Sequence, residues 1–174
     1  SPGGVFQERD KTQTDQNVLK NEQSLQLIIN NLKKGDHRDV VKYLFRPLDI
    51  FNYRELKLFV HGDAGSSQGS VSYYKSLQDH GSDIYFRFGT DTLNYYEYKR
   101  PLRAGWVNSN ISINFAELTG IKSIRDLDSI PTNDLFEVPV EGKEGHFYGI
   151  RGKPTLTKIT FLQFGIYNTP KKSG

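Results

Sequence analysis

The chain has no cysteine, no methionine and a single tryptophan among its 174 residues. Without cysteine there is no disulfide framework, no thiol chemistry and no zinc site built on thiolates. The compartment stays open, because cytosol, periplasm and cell surface all accept a thiol-free chain. A dominant sign of charge is also missing: 23 basic and 20 acidic residues leave a net charge of +3. Basic runs reach only two residues, as in Lys33-Lys34 and Lys171-Lys172. That excludes the clustered cations of a nucleic-acid footprint. No window approaches the ~20 apolar residues of a membrane-crossing helix, and no signal-peptide pattern is present. A chain that starts at Ser1 with no methionine reads as a fragment or processed segment of a longer product.

Motifs for chemistry are equally scarce. There is no G-x-S-x-G, no P-loop and no G-x-G-x-x-G. His37, His61, His80 and His146 are scattered, without the close spacing that brings about four ligands to one zinc ion. Asp63, Asp79, Asp83, Asp91 and Glu97 lie on or near the central strands and loops, yet nothing in the sequence sets two of them face to face as a glycosidase requires. The reading is therefore no enzyme, no catalytic residue, no metal ligand and no cofactor. An irregular structural calcium site is the one exception left open, as in many sugar-binding sandwiches.

What the chain has is rings. Aromatics make up 13% of the residues, with 11 Phe and 10 Tyr. Large rings therefore supply much of the core, and tyrosine can bury its ring while its hydroxyl stays wet. A chain of this length forms one domain of ordinary size and buries roughly 70% of its unfolded surface.

Apolar and polar residues alternate with period two in several short segments, the mark of strands with one buried face. Leu25, Leu27 and Ile29 predict a strand within 24–32, and a second covers 40–45, stopped by Arg46-Pro47. Leu56, Leu58 and Val60 mark a third. Residues 62–82 read as a long loop. Ile84, Phe86 and Phe88 face one side of the next strand, with Tyr85 and Arg87 on the other. A turn at 89–93 leads to its partner at 94–100, closed by Pro101. Strands follow at 110–115, 146–150 and 158–167, the last with a bulge between Phe161 and Phe164. Residues 116–122 give one or two helical turns, and 123–145 read as irregular.

About eight strands with almost no helix predict an all-β fold. The expected form is a β-sandwich or jelly roll, with at most one or two short helices. The expected organisation is an extended lead-in at 1–22, a single sandwich domain at 23–168 and a tail at 169–174.

The aromatics carry two readings. In the first, Tyr96 and Tyr98 share a strand face and belong to the core, while Tyr73 and Tyr74 pack the long loop down. In the second, Tyr73, Tyr74, Tyr95 and Trp106 form a platform on which sugar rings stack. The first is preferred.

Five segments in series resemble a known family: 21–32 (NEQSLQLIINNL), 46–63 (RPLDIFNYRELKLFVHGD), 86–102 (FRFGTDTLNYYEYKRPL), 106–122 (WVNSNISINFAELTGIK) and 152–168 (GKPTLTKITFLQFGIYN). They look like soluble-domain segments of the SprA/Sov family of large cell-surface proteins, which form the outer-membrane channel of type IX secretion and support gliding motility. Segments 62–82 and 123–145 match least, as variable loops would.

The resemblance implies a non-enzymatic module of a cell-envelope translocon, on the periplasmic or extracellular part of an outer-membrane protein. Its partners would be other domains of the parent protein, secretion partners or cargo. The strand words VHGD, FRFGTD and ITFLQFGIYN also resemble carbohydrate-binding and discoidin-like jelly rolls, a likeness of fold that keeps a glycan partner as the alternative.

Overall fold

The computed structural model describes residues 24–62, 81–103, 105 and 109–169, with the backbone of 9–10 and 18–19. It divides into two units, Ser1–Asn30 and Asn31–Gly174. In the first, β1 (Arg9–Asp10) pairs antiparallel with β2 (Val18–Leu19). The strand expected within 24–32 does not form, and residues 24–30 carry no regular structure. Leu25 and Ile28 are exposed there. Leu27 and Ile29 are half-buried, so one face is partly covered, but alternation alone makes no strand without a partner edge.

The second unit contains β3 (His37–Leu48), β4 (Glu55–Leu58), β5 (Ser82–Asp91), β6 (Asn94–Pro101), β7 (Ile111–Asn114), α1 (Phe115–Leu127), β8 (Phe136–Pro139), β9 (Phe147–Arg151) and β10 (Ile159–Asn168). Six strands form one antiparallel sheet in the order β3-β10-β5-β6-β9-β8. The fold is mostly antiparallel sheet, consistent with an all-β sandwich.

Register decides which side chains share a face. Ile84, Phe86 and Phe88 of β5 lie opposite Arg100, Tyr98 and Tyr96 of β6, and opposite Ile166, Phe164 and Leu162 of β10. Tyr148 and Ile150 of β9 continue the same rows. Tyr96 and Tyr98 are therefore core residues, as the preferred reading of the aromatics had it.

Over this face lies a second layer. β4 and β7 pair so that Leu56 meets Ile113 and Leu58 meets Ile111. α1 follows β7 directly, and its Phe115 ring sits 6.1 Å from that of Phe88.

Three elements differ from the sequence reading. α1 runs to Leu127, beyond the one or two turns expected. Asn114 caps it by accepting from the Glu117 amide at 3.1 Å. Phe115, Leu118, Ile121 and Arg125 are buried along one stripe. Gly120 and Ser123 weaken the helical signal locally, and burial of that stripe overrides it. The stretch 123–145, read as irregular, holds the end of α1 and the strand β8.

β3 extends through Pro47, where the sequence reading ended it. A proline is tolerated because β3 is an edge strand, and the ladder skips from Tyr43 to Leu48 against β10. The same irregularity, between Ile159 and Phe161, is the only break in register along β10, so the bulge falls before Phe161 and not after it. Ile159 thus joins the core with Leu162, Phe164 and Ile166, while Phe161 turns to the opposite face and packs on Tyr43 at 5.6 Å.

Two glycines should respond oppositely to alanine. Gly120 sits exposed in the helix interior with open space where a Cβ would go. Gly120→Ala should raise stability by about 0.5–1 kcal/mol in chemical denaturation. At Gly165 a Cβ would come within 2.3 Å of the Tyr85 ring. Gly165→Ala should therefore lower stability by about 1–3 kcal/mol.

Candidate functional site

Of the four residues nominated as a stacking platform, Tyr73, Tyr74 and Trp106 lie outside the described residues. Tyr95 lies on β6, on the sheet face turned away from the apolar core, and is only 2% exposed. The Arg87 guanidinium lies 4.7 Å from its ring and 4.7 Å from that of Tyr85, so the cation is held between two tyrosines.

This opposite face is built from rows that cross the sheet. Val41, Gln163, Arg87, Glu97, Gly149 and Glu137 stand side by side over all six strands. Arg87 Nε donates to Glu97 Oε2 at 2.6 Å. Gly149 separates Glu97 from Glu137 and has no side chain to part them. Lys99 donates to Glu137 at 2.7 Å and lies 5.1 Å from the Phe147 ring.

In the next row Tyr85 lies flat over Gly165, and its hydroxyl donates to Asp39 Oδ2 at 3.0 Å. Burial pushes the Tyr85 hydroxyl up, and Asp39 adds to the rise. Burial also pushes the Glu97 carboxyl up to about 7, against the pull of Arg87, and Glu137 adds to the rise. Each member satisfies another, which is how a sheet keeps charged groups under cover. The arrangement fixes register across the sheet.

A second polar group lies on the core side. Tyr98 and His146 Nδ1 are 2.5 Å apart. Tyr148 donates to Glu117 Oε2 at 3.1 Å, tying α1 to β9. Burial holds the His146 imidazole down, to about 4, helped by Arg100, Lys143 and Arg103.

His37 stands 3.8 Å from Asp39. Asp91 accepts from the Leu93 amide at 2.8 Å and from Asn94 at 3.0 Å, the work of a turn former. His80, Asp63 and Asp79 fall outside the described residues. Among the described residues, no group of three or more His, Asp or Glu is placed to hold a metal.

The open surface lies at the sheet edge. β3 is 12 residues long, is the outermost strand of its sheet and is exposed over nearly its whole length. Val41, Tyr43 and Phe45 share one side of it, and Phe45 is 100% exposed. Arg38, Lys42 and Arg46 recur every fourth residue on its other side, and none makes an ion pair with a carboxylate among the described residues. Sequence reasoning had assigned this segment to an ordinary strand. Its exposure follows from its place in the strand order, which no local pattern encodes.

A model of the SprA_N family, described as motility related/secretion protein, matches residues 2–174. The chain belongs to this family. No curated protein matches it. Membership in SprA_N supports a role in gliding motility or secretion and points to a cell-envelope protein. No helix among the described residues is long and apolar enough to cross a membrane.

Two measurements test the polar groups. Arg87→Ala leaves Glu97 buried beside Glu137 without its cation and should cost about 3 kcal/mol in denaturant unfolding, whereas the neutral isostere in Glu97→Gln should cost less. Equal losses would show that charge pairing is not what holds this face.

His146 titrates near 4 when folded and near 6.5 when unfolded, so the unfolded chain takes up its proton first. Its contribution to stability is present above about pH 6.5 and is lost as pH falls through 4. The melting temperature should drop over that window, and His146→Asn should flatten the drop.

Proposed function

We propose that this SprA_N chain is a non-enzymatic β-sandwich module of a large outer-membrane translocon, serving type IX secretion and gliding motility. It acts in structure or protein interaction, on the periplasmic or extracellular part of the parent protein. Its partners are other domains of that protein, secretion partners or passing cargo.

The observation that carries this reading is β3. A long edge strand with no strand neighbour on its outer side among the described residues, and with exposed rings, is a template for pairing, and natural proteins blunt such edges unless something occupies them. The ionisable groups on the sheet's other face are committed to one another, which supports a scaffold over a reaction centre.

The test is a chromosomal Tyr43→Lys/Phe45→Lys variant. Phe45 is fully exposed and Tyr43 gives up only one ring contact with Phe161, so the isolated variant chain should stay folded and melt only slightly below the native one. The expected outcome is reduced secretion and gliding, with the variant protein present at its normal level. Secretion and gliding at native rates would sink the proposal.

A further inference from the structure

A cleft of about 710 Å³ opens between the turn at 51–54, the first half of α1 and the loop at 154–156. Its size falls in the ~300–1,000 Å³ range of small-molecule sites. Backbone hydrogen bonds fix its walls. The Phe115 amide donates to the Arg54 carbonyl at 3.0 Å, and the Ile50 amide donates to the Leu156 carbonyl at 2.8 Å. The cleft is therefore preformed.

Three features of the lining point to one kind of ligand. Phe51 and Tyr53 line it and are exposed, on a turn where a buried core would have hidden them. Arg54 and Lys122 line it, are exposed, and make no ion pair among the described residues, while no Asp or Glu is present in the lining. Tyr96 lines it too, is only 4% exposed, and its hydroxyl has no hydrogen-bond partner among the described residues. Burial pushes that hydroxyl up. A buried hydroxyl without a partner is costly unless a ligand or water supplies one.

We infer that this cleft binds an acidic saccharide, a chain of uronate rings. Ring faces stack on Phe51 and Tyr53, ring carboxylates pair with Arg54 and Lys122, and a sugar hydroxyl completes the Tyr96 hydrogen bond. An acidic peptide matches the charge but not the shape. The flat faces of Phe51 and Tyr53 suit the C–H faces of sugar rings, which a chain of acidic side chains lacks. The site is separate from β3 and does not depend on the translocon reading.

The test is calorimetric titration of the full chain with tetragalacturonate. Saturable binding is expected, with a neutral maltotetraose bound at least about tenfold more weakly and a tetraglutamate unable to compete. Phe51→Ala should weaken binding by about tenfold, and Arg54→Ala and Lys122→Ala by roughly two- to fivefold each. Tyr96→Phe removes one oxygen and keeps the packed ring, so it separates loss of the ligand hydrogen bond from loss of fold. It should weaken binding severalfold while the melting temperature of the ligand-free chain is unchanged or raised. Any of three results overturns the proposal: no saturable binding, equal binding of the neutral sugar or the acidic peptide, or unaltered affinity in all four variants.

Discussion

The strict alternation in β5 and β6 is the constraint on which the rest of the structure depends. Because successive side chains leave a strand on opposite sides, Ile84, Phe86 and Phe88 cannot be buried without sending Tyr85 and Arg87 the other way. Both sides of this hairpin are buried, so two chemically different faces sit back to back at the centre of one sheet. The apolar side takes its second layer from β4, β7 and α1. The other side resolves its charges laterally, along rows, and it can do so because Gly165 and Gly149 leave room for Tyr85 and the two glutamates to reach across. A one-residue slip in register would place Arg87 and Glu97 in the hydrocarbon core.

Much of this was legible in the sequence. Ile84, Phe86 and Phe88 against Tyr85 and Arg87 is a period-two pattern with bulky residues on both sides, and the strand, its turn and its partner all follow from it. Tyr96 and Tyr98 were assigned to the core on the same ground. What failed did so where the deciding term lay outside the local window. Leu25, Leu27 and Ile29 alternate as well as any strand, yet residues 24–30 pair with nothing. In α1, Gly120 and Ser123 mask a stripe whose burial is settled by the sheet beneath it. The break in β10 was placed about two residues too far along, because nothing local to β10 shows that residues 44–47 of β3 fall in the step between the Tyr43–Phe161 and Leu48–Ile159 pairs.

The candidate surfaces were harder to read. Tyr43 and Phe45 carry large rings of the kind that fill this protein's core, and only the strand order leaves them outside. Phe51, Tyr53, Arg54 and Lys122 are brought together by a turn and a helix some 70 residues apart in the chain. The aromatic platform imagined from sequence drew on the same residue type, but Tyr95 lies under cover beside Arg87. Membership in SprA_N narrows the field to motility and secretion without naming a contact.

The spacing of cations along β3 has a consequence for what can zip onto it. Arg38, Lys42 and Arg46 are symmetric about Lys42. If two copies of this strand met antiparallel in the registers that overlap best, cation would stand opposite cation, and Pro47 would deny the ladder an amide near its end. Self-pairing of this edge in those registers would therefore set like charges against one another.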